Sequence, residues 1–185
     1  MSNFEQEPAV IGEELSPDIV ARGSEIGDLL ALARIQAARG GRDVHATLTR
    51  LRAEHRRISR GEANKHVCVA LRGDQVVGFA RVAWLPTDRM DGVENLPPGF
   101  YLGGAVVDVR EQGSGIEKVL TVHRMNWVRG RANELFYIAN ADNQETINFH
   151  GQLGFVEVTR DFVFPGALSR DAGGILLRAH WDGEE

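Results

Sequence analysis

The chain has 185 residues, 43% of them hydrophobic and 25% charged, with a single cysteine and a formal net charge of −5. That length and apolar fraction suit one globular domain with its own core, and they exclude a disordered chain, a collagen-like repeat and a disulfide scaffold. The negative charge belongs to one end. Glu5, Glu7, Glu13, Glu14 and Asp18 stand among the first 21 residues without a Lys or Arg, and the 21 acids that follow balance 21 bases. A neutral body gives no support for nucleic-acid binding, which needs concentrated positive charge. The sequence has no basic stretch leading into an apolar one and no long apolar run, so the expectation is a cytoplasmic protein with no membrane partner.

Residues 1–23 read as an acidic N-terminal arm, with a possible short strand over 10–15, and residues 24–185 as the folded domain. From Ser24 the apolar positions Ile26, Leu29, Leu30, Ala33 and Ala37 recur at helical spacing, and Gly40-Gly41 ends that helix. A second helix is expected over 45–60, with Leu48, Leu51, His55 and Ile58 on one side. The period then changes. Residues 66–71 and 75–85 read as strands joined by a tight turn at Gly73-Asp74. The acidic, proline-containing stretch 87–99 reads as a loop and 100–109 as a strand. A helix follows over 116–131, then a strand over 135–139, a short helix over 144–152, a long strand over 155–164 and a last strand over 175–181. Cys68, inside an apolar run, reads as a small buried hydrophobe. The six histidines lack ligand spacing and cysteine partners, so no metal site is expected.

The most informative segment runs from Val106 to Ile116. A strand that enters Gly113-Ser114-Gly115 and opens a helix presents several backbone N–H groups at the positive end of the helix dipole, a geometry that suits phosphate or pyrophosphate. No Gly-Lys-Ser/Thr ending is present, which excludes a P-loop, and the third glycine of a dinucleotide fingerprint is missing.

The spacing Arg110-x-x-Gly113-x-Gly115 after a strand resembles the acyl-CoA pyrophosphate loop of the GNAT superfamily of N-acetyltransferases. Asn143-x-x-Thr146-x-x-x-His150-x-x-Leu153-Gly154-Phe155 resembles that family's second signature, at a fitting separation. The resemblance covers roughly residues 64–181. It implies a single α/β domain whose mixed, splayed β-sheet is flanked by helices and holds the pantetheine arm between two diverging strands, near 105–109 and 135–139. Backbone groups of Val106 and Val107 would then pair with the pantetheine amides. Arg110, Gln112, Gly113, Ser114, Gly115 and Ile116 would surround the pyrophosphate, and Asn143 would bond the arm near its thioester.

The family often carries a general-acid tyrosine where this chain has His150. Asn143, Thr146, Ile147 and His150 share a helix face, so His150 is the candidate catalytic residue, with a packing histidine as the alternative. No single general base stands out among Glu54, His55, Asp88, Asp91 and Glu94, and Tyr101 and Tyr137 are candidates for orienting substrate. Glu111 and Glu117 make the phosphate loop unusually acidic for a CoA site. The second helix is basic, and Arg52, Arg56, Arg57 and Arg60 form a candidate docking face for an acidic acyl carrier protein or an anionic substrate. The implied activity is acyl transfer from acyl-CoA to a small-molecule amine. The alternatives are a carrier-protein-dependent acyltransferase of secondary metabolism, using phosphopantetheine, and a non-catalytic acyl-CoA- or partner-binding module.

Overall fold

The computed structural model of the chain describes residues 18–165 and 173–181. Within them lie four helices and eight strands in one sheet. In chain order these are β1 (Ile19–Gly23), α1 (Leu29–Gly40), α2 (Val44–Ser59), β2 (Lys65–Arg72), β3 (Gln75–Leu85), β4 (Gly99–Leu102), β5 (Val106–Val107), α3 (Ile116–Arg129), β6 (Glu134–Asn140), α4 (Gln144–Gln152), β7 (Val156–Thr159) and β8 (Gly174–His180). The sheet runs β1-β2-β3-β4-β6-β8-β7, with β5 pairing to β3 alone. Among the described residues only the β4–β6 pair is parallel. The expected mixed sheet in one α/β domain is what forms.

Two helical layers sandwich the sheet. Val67, Val69 and Phe79 turn to the side of α1 and α2, where Leu29, Leu32, Leu48 and Leu51 bury their side chains. Cys68, Ala70 and Ala80 turn to the opposite side, under Ile116, Val119 and Leu120 of α3. The strand period of two explains the alternation. The small residues on the α3 side let that helix approach closely, and Cys68 is a fully buried hydrophobe there. A β-bulge interrupts the pattern. Ala70 faces Gly78 and Leu71 faces Val76, so Val77 is an extra residue on β3 and shares its face with Ala80. The Val77 carbonyl accepts the Asp108 N–H at 2.8 Å, which ties the bulge to the segment leading into α3.

Several sequence expectations shift. The strand expected over 100–109 is broken, with β4 and β5 separated by Gly103, Gly104 and Ala105. The strand expected over 155–164 narrows to β7, which ends at Thr159 after a register shift against β8, and Val163 instead bridges Glu94. The helix start expected at Ser24 gives way to a short turn of helix at Ile26–Asp28 that precedes α1. Of the arm assigned to residues 1–23, the segment up to residue 17, including 10–15, lies outside the described residues, while Ile19–Gly23 pairs with β2 as an edge strand.

Candidate active site

The break between β4 and β5 creates the cleft. β4 and β6 are in register at Tyr101 and Phe136. Past that point the chain turns away through Gly103 and Gly104, and β5 joins β3 at Gly78 and Phe79. β6 continues to Asn140 with no neighbour on that side among the described residues. The gap is a cleft of about 450 Å³ whose walls include Tyr101, Gly103, Tyr137, Asn140, Asn143 and Thr146.

Arg124 of α3 sits behind the wall of this cleft and is 2% exposed. Its Nη1 donates to the Gly103 carbonyl at 2.5 Å and the Arg81 carbonyl at 2.9 Å. Its Nε donates to the Leu120 carbonyl, and its Nη2 to the Thr121 hydroxyl. No carboxylate pairs with it among the described residues. A buried cation is tolerated only when its donors are satisfied, and here oxygens from three elements do so while pinning the break in place. The sequence reading missed Arg124. The signal was present, since Ile116, Leu120, Arg124 and Val128 lie at successive four-residue steps on the apolar face of α3.

The glycine turn lies at the other end of β5. Gly113 has φ 77° and Gly115, the N-cap of α3, has φ 75°, a left-handed conformation that side chains other than glycine resist. Residues 112–116 therefore reach the helix N-terminus with their N–H groups bunched. Of the two acids expected to trouble this loop, Glu111 and Glu117, only Glu111 has a cation partner among the described residues. Glu111 accepts from Arg72 at 2.9 Å, and the Asp108 carboxylate grips Arg110 at 2.7 and 3.0 Å. The hydrogen bonds from Arg110 hold the Asp108 pKa down at about 2. Ser114 bonds the Glu111 carbonyl through its hydroxyl. Arg110 is thus committed to Asp108, although its side chain remains exposed.

Asn143 caps α4, its Oδ1 accepting the Thr146 N–H at 3.1 Å, and it faces the cleft. His150 does not line the cleft. Burial lowers its pKa to about 4, so the imidazole is neutral at physiological pH, and its Nδ1–H donates to the Thr146 carbonyl at 2.8 Å. One ring face lies flat on Tyr137, while Phe149 and Phe155 meet it edge-on. Tyr137, by contrast, lines the cleft, and its hydroxyl has no hydrogen-bond partner among the described residues. Burial raises its pKa, so it keeps its proton. The other cleft tyrosine, Tyr101, is committed to the Pro97 carbonyl at 2.7 Å.

Of the five base candidates, only Glu54 reaches the region. It bridges Lys65 at 2.7 Å and Arg81 at 3.4 Å. Burial alone would raise its pKa, but those two cations hold it below the ordinary value. His55, Asp88, Asp91 and Glu94 line neither the cleft nor the basin beside it. The basic helix also divides. Arg57 turns with Arg50 and Glu54 toward Lys65 and Arg81, around an open basin of about 510 Å³. Arg52, Arg56 and Arg60 form a separate exposed stripe. Among the described residues no cluster of three or more metal-ligating side chains occurs, and no helix is long and apolar enough to cross a membrane.

Residues 22–155 match the acetyltransferase (GNAT) family. No curated protein matches the chain. Among solved structures, yncA from Salmonella typhimurium, determined with its cofactor acetyl-CoA, has a TM-score of 0.63 at 18% identity, covering 90% of this chain and 96% of that one. Ribosomal-protein-alanine N-acetyltransferase from Brucella melitensis has a TM-score of 0.63 at 22% identity over 88% and 99% of the two chains. PaiA N-acetyltransferase from Thermoplasma acidophilum, in complex with coenzyme A, has a TM-score of 0.58 at 13% identity over 88% and 99%. At such identities the likeness speaks for the fold.

Proposed function

Because the chain belongs to the acetyltransferase (GNAT) family, we propose that it moves an acetyl or other acyl group from acyl-CoA to the amine of a small molecule by direct transfer. The observation that carries this reading is the split between β5 and β6, with a left-handed glycine turn at one end and a proton-bearing tyrosine in its wall. An open strand edge offers amides and carbonyls to an extended pantetheine arm, as an added strand pairs with a sheet. Val106 and Val107 supply that edge, since β5 uses only its β3 side for pairing among the described residues. Gln112, Gly113, Ser114, Gly115 and Ile116 hold the pyrophosphate at the helix N-terminus. Asn143 donates from its side-chain amide, whose oxygen is already engaged by Thr146.

In the transfer, the neutral amine attacks the thioester carbonyl, a C–N bond forms, the C–S bond breaks and the thiolate leaves. The ammonium proton goes to solvent, because Glu54, the one base candidate in the basin beside the cleft, is locked between two cations. Tyr137 supplies the proton to the thiolate and is reprotonated from water. His150 backs its ring. The role assigned to His150 is therefore structural and the acid role passes to Tyr137. No metal takes part in this scheme.

Calorimetric titration with acetyl-CoA and free CoA tests the donor. Low-micromolar binding that Gly113→Trp abolishes is the expected result, and absence of CoA binding to the wild-type protein rejects the reading. The exposed stripe of Arg52, Arg56 and Arg60 favours a second reading, in which an acidic acyl carrier protein delivers the same arm. Charge reversal at Arg52 and Arg56 would then weaken transfer from an acylated carrier while leaving transfer from acetyl-CoA intact.

A further inference from the structure

Beside the cleft lies the basin between α2 and the sheet, and its composition is lopsided. Arg50, Arg57, Lys65 and Arg81 line it against one carboxylate, Glu54. Residues 50, 54 and 57 fall on one face of α2 and all three line the basin, with Arg50 and Arg57 exposed at its rim. Glu54 is used up by Lys65 and Arg81. Arg50 and Arg57 have no acidic partner among the described residues. A solvated helix face disperses its charges. Here four cations converge on one concavity, and convergence of like charge is unfavourable until an anion enters. Lys65 and Arg81 also line the cleft, so basin and cleft are one continuous surface joined at those two side chains.

We propose that this basin receives an anionic group of the acceptor, so that the acceptor is an amine that also carries a carboxylate or a phosphate. This rests on the acyl-transfer reading of the cleft. The amine end enters beside Tyr137, the acid end lies against Arg50 and Arg57, and Lys65 and Arg81 span the two. Guanidinium groups suit this task because their fork of N–H donors matches the oxygens of either anion. Polyamines are disfavoured by the same field that draws acids in. The concavity favours a small molecule over a protein surface, which would meet the convex stripe of Arg52, Arg56 and Arg60 instead.

The test follows CoA release from acetyl-CoA with the standard amino acids and phosphoethanolamine, compared with amino-acid amides, ethanolamine and spermidine. The expected result is a kcat/KM at least tenfold higher for the acid-bearing amine of a matched pair, with the amino-acid and phosphoethanolamine arms identifying which anion is preferred. In Arg50→Ala/Arg57→Ala the KM for that acceptor rises at least tenfold, while CoA binding by calorimetry and the urea midpoint stay unchanged. Amides or spermidine accepted as well as acids, no turnover with any acid-bearing amine, or an unchanged KM in the double variant would each overturn the proposal. CoA titration separates the failures. Loss of wild-type CoA binding rejects the donor assignment and this proposal with it, whereas intact CoA binding with no preference for acids rejects the basin alone.

Discussion

Tyr137 and His150 lie face to face, their ring centroids 3.9 Å apart and their planes within 10°. The tyrosine belongs to β6 and the histidine to α4, so the stack is also the joint between the two elements that carry the cleft's far wall. An imidazole clamped between rings, with its Nδ1–H given to a carbonyl, is an apolar packing piece that holds a phenol at a fixed angle.

His150→Phe should therefore keep most of the activity, because a phenyl ring preserves the stack. His150→Ala should cost about 2–4 kcal/mol of stability, as buried ring truncations do, and raise the KM for acetyl-CoA. Steady-state kinetics with urea unfolding on both variants decides the matter. A hundredfold fall in kcat for a well-folded His150→Phe would return the histidine to the chemistry.

Stability should fall on mild acidification. An unfolded histidine takes up a proton near pH 6.5, whereas burial delays His150 until about pH 4. Between those values the unfolded state binds more protons, so the stabilisation is complete above pH 6.5 and is lost as pH drops toward 4. For His150 alone the loss by pH 4.5 is on the order of 2–3 kcal/mol. His66, also lowered to about 4 by burial and by its neighbour His123, adds to the same slope. Urea midpoints at pH 7.5 and pH 4.5 should differ less in His150→Phe than in the wild type; equal differences would refute the assignment.

Tyr137→Phe removes a hydroxyl and leaves the stack. The expected change is a roughly 10²–10⁴-fold lower kcat, on the scale of a lost general acid, with the KM for acetyl-CoA nearly unchanged and no shift in thermal midpoint. An unaltered kcat would mean that solvent protonates the leaving thiolate unaided.

Arg124→Met leaves the Gly103 and Arg81 carbonyls without their shared donor. The Arg81 carbonyl keeps the Gly103 N–H, so the Gly103 carbonyl alone loses its partner, at a cost of roughly 1 kcal/mol; the variant should unfold at lower urea and, where still folded, bind CoA more weakly. Arg124→Lys should recover only part of both, since one ammonium does not span four acceptors on three sides. A methionine variant with wild-type stability and CoA affinity would show that the break needs no clamp.

Much of the frame was readable in one dimension. The apolar rhythm of Leu48, Leu51 and Ile58 announces α2, and the alternation around Val67 and Val69 announces β2, because both elements have one wet and one dry side. The glycine turn was legible because few residues tolerate φ near 75°. What the sequence hid depends on partners far along the chain. Residues 100–109 look continuous, yet the strand breaks where Arg124, some twenty residues later, captures the Gly103 carbonyl. His150 resembled an acid because its helix face was right. Its depth behind Tyr137 is set by how α4 packs on β6, which no local spacing encodes. The basic helix looked like one docking face, and only its phase against β2 and β3 separates Arg57 from Arg52, Arg56 and Arg60.

The extra residue at Val77 has a bearing on how this scaffold tolerates change. Its carbonyl anchors Asp108, five residues ahead of Gly113, so the hairpin of β2 and β3 acts as a ruler for where the glycine turn begins. Deleting one residue from the hairpin would exchange inside for outside along β3 and drag that anchor out of place. Chimeras that splice the β5–α3 segment of a relative into this chain should therefore keep their function only when residues 70–78 travel with it, and the seam between modular pieces belongs before β2, in the stretch following α2.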